Sequence, residues 1–114
     1  MEMGMAERLR AGTIDEFAVK GHLIVKIARN EICVVSDGER FYALENSCSH
    51  MGSQIHRGEI KDGNIICPWH RARFVLATGK SLDLYASDIM SFRVFVEEGV
   101  ISVDPEPISN PSNL

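Results

Sequence analysis

Long apolar runs are missing from this chain. No stretch approaches the roughly 20 residues that cross a bilayer. The opening MEMGMAERLRAG holds no continuous apolar segment of signal-peptide length. The expectation is a cytoplasmic protein. Positive charge is also short: 12 Lys and Arg stand against 16 Asp and Glu, for a net charge of −4. That balance argues against nucleic acid or an anionic membrane surface as a partner. No glycine-rich phosphate loop, no recognisable Ser/His/Asp set and no internal repeat occurs. With 114 residues, 45% of them hydrophobic, the chain is expected to be a single domain, 1–114. A chain of this size buries roughly 60% or more of its unfolded surface, enough for a core that a bound group can fasten further.

Cysteine and histidine are few, with three Cys and four His, but they are concentrated. Cys48 and His50 are one residue apart; Cys67 and His70 are two apart, with Pro68 and Trp69 between them. Each pair mixes one thiolate with one imidazole. A structural zinc site more often pairs Cys with Cys and His with His. Two mixed pairs placed side by side suit another division. Two thiolates take one iron and two imidazoles the other, across bridging sulfides, as in a Rieske centre. A zinc-stabilised interaction module without redox role is the alternative of a different class.

Cys48-Ser49-His50-Met51-Gly52 and Cys67-Pro68-Trp69-His70 resemble the two ligand loops of the Rieske [2Fe-2S] family. Phe41-Tyr42-Ala43-Leu44 is similar to the strand that leads into the first loop, and Arg73-Phe74 with Thr78-Gly79-Lys80 to the family's exit. The resemblance implies one Rieske [2Fe-2S] cluster with Cys48, His50, Cys67 and His70 as ligands. It implies an all-β fold: an antiparallel sandwich or barrel base with a cluster-binding subdomain, 46–76, inserted between its strands. It also implies a soluble one-electron carrier, passing electrons from a flavin-dependent reductase to a terminal oxygenase. The small Rieske subunit of an assimilatory nitrite reductase is the alternative within the same chemistry. Rieske oxygenases add a mononuclear iron held by two His and a carboxylate. Only His22 and His56 remain here, and there is no length for that domain, so no catalytic residue is expected.

Departures from the family pattern carry further expectations. High-potential members carry an extra cysteine in each loop; the matching positions are Ser53 and Trp69, which cannot form a bridge. The hydroxyl donors of those members match Ala72 and Phe74. The reduction potential is therefore expected at about −150 to 0 mV, low in the Rieske range. The family has glycine after the last histidine and aspartate after the Phe74 position; Arg71 and Val75 stand here. Arg71 is read as a sign that this loop does not need a left-handed residue. The electron-transfer partner is expected to dock near Met51, Gly52, Trp69 and Arg71, unless Trp69 only packs between the loops.

Strands are expected at 7–11, 22–27, 31–36, 40–44, 64–67, 73–76, 91–96 and 100–103, with turns at Asp37-Gly38, Asp62-Gly63 and Glu98-Gly99. Segments 22–27, 31–36 and 40–44 form a meander. Thr13-Ile14-Asp15-Glu16 reads either as a capping box or as a plain loop. Segment 82–90 has no clear assignment, and 105–114, with three prolines, reads as a flexible tail. Cys33 is expected in the core. His56 is expected as an exposed loop residue and His22 as a strand cap. Asp83 with Asp88, and Glu97 with Glu98, are expected as solvated surface.

Overall fold

The computed structural model describes residues 8–27, 30–49, 52–68 and 71–108. It is built from three antiparallel sheets. The first joins β1 (Leu9–Thr13), β10 (Val100–Val103) and β9 (Val94–Glu97), with β10 in the centre. The second runs β2 (Leu23–Ile27), β3 (Asn30–Ser36), β4 (Phe41–Glu45) and β8 (Ser91–Phe92). The third, β5 (Glu59–Lys61), β6 (Asn64–Ile66) and β7 (Arg73–Val75), is inserted between β4 and β8, as expected of a ligand-bearing insertion.

The second sheet is the middle layer, and its residue pattern shows why. On β3, Ile32 and Val34 turn toward Leu23, Val25, Ala43, Ile101 and Val103, a core shared with the first sheet. Cys33 and Val35 turn the other way, into a core with Leu44, Cys48, Ile55, Ile65, Cys67 and Phe74. A strand covered on both faces needs apolar side chains at successive positions, which the run Ile32-Cys33-Val34-Val35 supplies. Cys33 is fully buried, and desolvation pushes its thiol up to about 12.

Local chemistry accounts for the connections. Thr13 caps a seven-residue helix α1 (Ile14–Lys20): its Oγ1 accepts from Glu16 N at 3.0 Å, and the Glu16 carboxylate accepts from Thr13 N at 2.8 Å. Helix, not loop, is the outcome. The helix seats Phe17 edge-on against Phe41, with ring centroids 5.0 Å apart. Asp37 accepts from Glu39 N and Arg40 N, both at 2.9 Å, to hold the β3–β4 turn.

Two expectations are corrected. Residues 91–96 are not one strand. The chain breaks at Arg93: β8 pairs with β4 in the middle sheet and β9 with β10 in the outer one. The alternation fails because the two halves serve different sheets, and Val96 is left 44% exposed. The segment from residue 105 is not all loose tail either. Ile108 N donates to Ser91 O at 2.8 Å, and Pro105 and Pro107 line a small cavity with Ile27 and Phe92. Residues 109–114 lie outside the described residues.

Candidate metal centre

Each cysteine of the two pairs stands at the head of a closed turn. Cys48 follows β4; its N donates to Ser53 O at 2.8 Å, and Gly52 N donates to Cys48 O at 2.6 Å. Gly52 lies at φ 74, a conformation that costs glycine no side-chain clash. Cys67 follows β6, and its N donates to Ala72 O at 2.7 Å. Both residues are buried, at 1% and 0% exposure, in the same core, and none of the three cysteines forms a disulfide. His50, Met51, Trp69 and His70 lie outside the described residues. Ala72 and Phe74, fully buried beside the cysteines, carry no hydroxyl.

The second loop contains a correction. Arg71 sits at φ 60, so the loop does need a left-handed residue there, and arginine fills it. The turn that returns Ala72 O to Cys67 N requires this reversal. The Arg71 side chain is 70% exposed and only 3.8 Å from Glu59, a loose pair that cannot explain the backbone.

The unassigned segment 82–90 crosses beside both loops. Ser49 Oγ donates to Ser87 O at 2.5 Å, which ties it to the first loop. Asp83 ties it to the strand after the second: it accepts from Arg73 N at 2.7 Å, from Nε at 3.2 Å and from Nη2 at 3.0 Å. These bonds hold the Asp83 carboxyl below its ordinary range. Asp88 accepts from Ser81 N at 2.8 Å. Neither aspartate is solvated surface: each closes this segment. Ala86 packs against the core that holds the cysteines.

His56 is also corrected. It lies in a 3-10 turn, Ile55–Arg57, and is half-buried. Its N donates to Asn46 Oδ1 at 2.9 Å, and its ring stacks on His22 at 4.2 Å between centroids. Burial, then the neighbouring His22 and Arg57, push its pKa down, with Glu31 opposing. Asn46 is the residue that sequence reading missed, and Asp83 is one that it misread as solvated surface. Their partners, Glu31 and Arg73, lie 15 and 10 positions away, and no local pattern announces them.

Two buried thiols at the heads of paired turns fit a metal group well. A buried thiolate is costly unless a cation neutralises it, and a thiolate is the form that binds metal. The family model for the Rieske [2Fe-2S] domain matches residues 6–93. The chain belongs to the Rieske [2Fe-2S] family. This Rieske domain binds one [2Fe-2S] cluster. It is 40% identical over 75 residues to the 3-phenylpropionate/cinnamic acid dioxygenase ferredoxin subunit of Shigella flexneri serotype 5b (strain 8401), covering 64% of this chain and 71% of that one. Its structure is similar to the ferredoxin of carbazole 1,9a-dioxygenase from Nocardioides aromaticivorans IC177: TM-score 0.77, 28% identity, 89% of this chain and 100% of that one. The same fold is seen in the complex of reduced oxygenase and oxidized ferredoxin in carbazole 1,9a-dioxygenase, at TM-score 0.78 and 24% identity, over 90% of this chain and 97% of that one. No helix among the described residues is long and apolar enough to cross a membrane.

Proposed function

We propose that this Rieske domain is the ferredoxin of a multicomponent oxygenase system, taking single electrons from a flavin-dependent reductase and passing them to a terminal oxygenase. The observation that carries the reading is the pair of buried cysteines, Cys48 and Cys67, each heading a closed turn that bears a Cys-x-His or Cys-x2-His pattern. Similarity to a dioxygenase ferredoxin subunit supports the partner class. Cys48 and Cys67 would hold one iron as thiolates, and His50 and His70 the other as neutral imidazoles. When bound, the cluster supplies a centre that gains and loses one electron. Ile55, Ile65 and Phe74, all fully buried, keep water from the thiolate side. Substituting His50 or His70 by Ala is expected to abolish the Rieske electron-paramagnetic signal of the reduced protein, and Cys33→Ser to leave it intact. Loss of the signal in Cys33→Ser with retention in Cys48→Ser would refute the assignment.

We place partner docking at Met51, Trp69 and Arg71, the residues next to the two histidines in sequence. The exposed Arg71 side chain is consistent with such a face. Interface cores favour Met, Trp and Arg. Met51→Glu is expected to keep the visible spectrum while slowing electron transfer to the oxygenase. An unchanged transfer rate in the intact variant rules out docking there.

A further inference from the structure

Asn46 stands two residues before Cys48, at the mouth of the first ligand loop, and is 4% exposed. A buried amide needs its hydrogen bonds made, and here they run in two directions. Toward the base, Asn46 N donates to Glu31 O at 2.8 Å, and Nδ2 donates to Glu31 Oε1 at 3.1 Å. Toward the loop, Oδ1 accepts from His56 N at 2.9 Å and lies 3.2 Å from His56 Nδ1. The carboxylate on one side and the backbone N–H on the other fix which end of the amide points where. A carbonyl oxygen only accepts, so the 3.2 Å contact is a hydrogen bond in the tautomer that carries the proton on His56 Nδ1. The His56 ring is thereby held flat against His22, which precedes β2, with 28° between the planes. One side chain thus links β3, the 3-10 turn after the first ligand loop, and the chain two residues from a cluster ligand.

We propose that Asn46 is a positioning residue for the cluster, fixing the Cys48 loop against the base sheet through Glu31 and the stacked His22–His56 pair. The inference rests on Cys48 being a ligand. Asn46 acts by setting where the loop begins. Potentials of such centres respond to hydrogen bonding and burial around the sulfurs, so a displaced Cys48 loop is read out electronically as well as in stability.

The test uses the full chain purified with its cluster. Asn46→Asp replaces the Nδ2 donor by an oxygen facing the Glu31 carboxylate, while the acceptor for His56 N remains. It is expected to shift the midpoint potential and the g-values of the reduced protein. Adding Glu31→Gln supplies an amide that donates to the new carboxylate, and the double variant is expected to return both readings to wild type. A single variant that melts earlier with midpoint and g-values unmoved would reduce Asn46 to a fold-stabilising residue. A double variant that stays shifted at full cluster content also overturns the proposal. Where Asn46→Asp fails to load, Glu31→Ala removes the side-chain acceptor of Nδ2 and keeps the backbone bond from Asn46 N to Glu31 O. It is expected to shift the midpoint, and an unmoved midpoint refutes the role. A wild-type protein without a Rieske signal overturns the ligand reading; a wild-type signal with unmoved variants overturns only the role of Asn46.

Discussion

Arg71 occupies a backbone conformation that an L-residue with a side chain enters at a cost of roughly 1–2 kcal/mol. Its φ is 60, and its side chain makes only a loose surface contact with Glu59. Glycine would avoid the clash but lose more entropy on folding, roughly 0.5–1 kcal/mol. Arg71→Gly is therefore expected to stabilise the protein by up to about 1 kcal/mol, a rise of a few °C in melting temperature. Thermal melting of the cluster-loaded protein checks it, and a lower melting point would show that the side chain, not the backbone, governs the loop. At this scale the sequence is legible where chemistry is local. The expectation for Cys48 and Cys67 rests on what lies one to three residues away. The φ of Arg71 is not legible, because arginine carries no signal for a left-handed position; only its departure from the family's glycine pointed there. His56 was illegible for another reason: its surroundings, Asn46 and His22, come from segments 10 and 34 positions away that only the fold brings together.

At the scale of elements, the turns were the most legible parts. Asp62-Gly63 and Glu98-Gly99 each place both residues at positive φ, the geometry that two-residue hairpins demand. The break at Arg93 was not legible, because strand pattern reports burial and not which sheet does the burying. The segment 82–90 lacked any pattern because no strand ladder holds it: side-chain bonds and single backbone bonds, such as Leu82 N to Arg73 O and Ile89 N to Gly79 O, both at 2.9 Å, fix it. Asp83 carries that load, and its pH behaviour follows. Its folded pKa is depressed by the Arg73 hydrogen bonds. The stabilisation is fully present above the unfolded value, about 3.9, and is lost as pH falls through the lower folded value. Asp83→Asn is therefore expected to melt earlier than wild type at neutral pH, with the gap closing in acid below about pH 4. A gap that stays constant through that range would mean the charge on Asp83 contributes nothing. Gly79 fixes the same segment from below: a Cβ there would collide with the backbone carbonyl of Ile89, so Gly79→Ala must displace it.

At the scale of the molecule, two cores share one middle sheet, and only one of them contains the cysteines. Stripping the metal with a chelator is expected to act unequally. Amides of β5, β6 and β7 should lose exchange protection, while those of β3 and β10 keep theirs. Simultaneous loss in all three sheets would show a single cooperative unit instead. The place where the insertion is spliced matters here. Glu45 N donates to Met90 O at 2.8 Å, and Ala43 and Leu44 face Phe92 and Ser91 across the β4–β8 pair. The metal-bearing stretch leaves and returns at adjacent rungs of one ladder. A base that survives metal loss therefore keeps the two ends of that stretch side by side. Closing a free loop of such length carries an entropic cost that grows with the logarithm of its length, and this splice removes that cost from every reloading event. Maturation of the protein then becomes a local search by a tethered loop, repeatable after each loss of iron, and not a refolding of the whole chain.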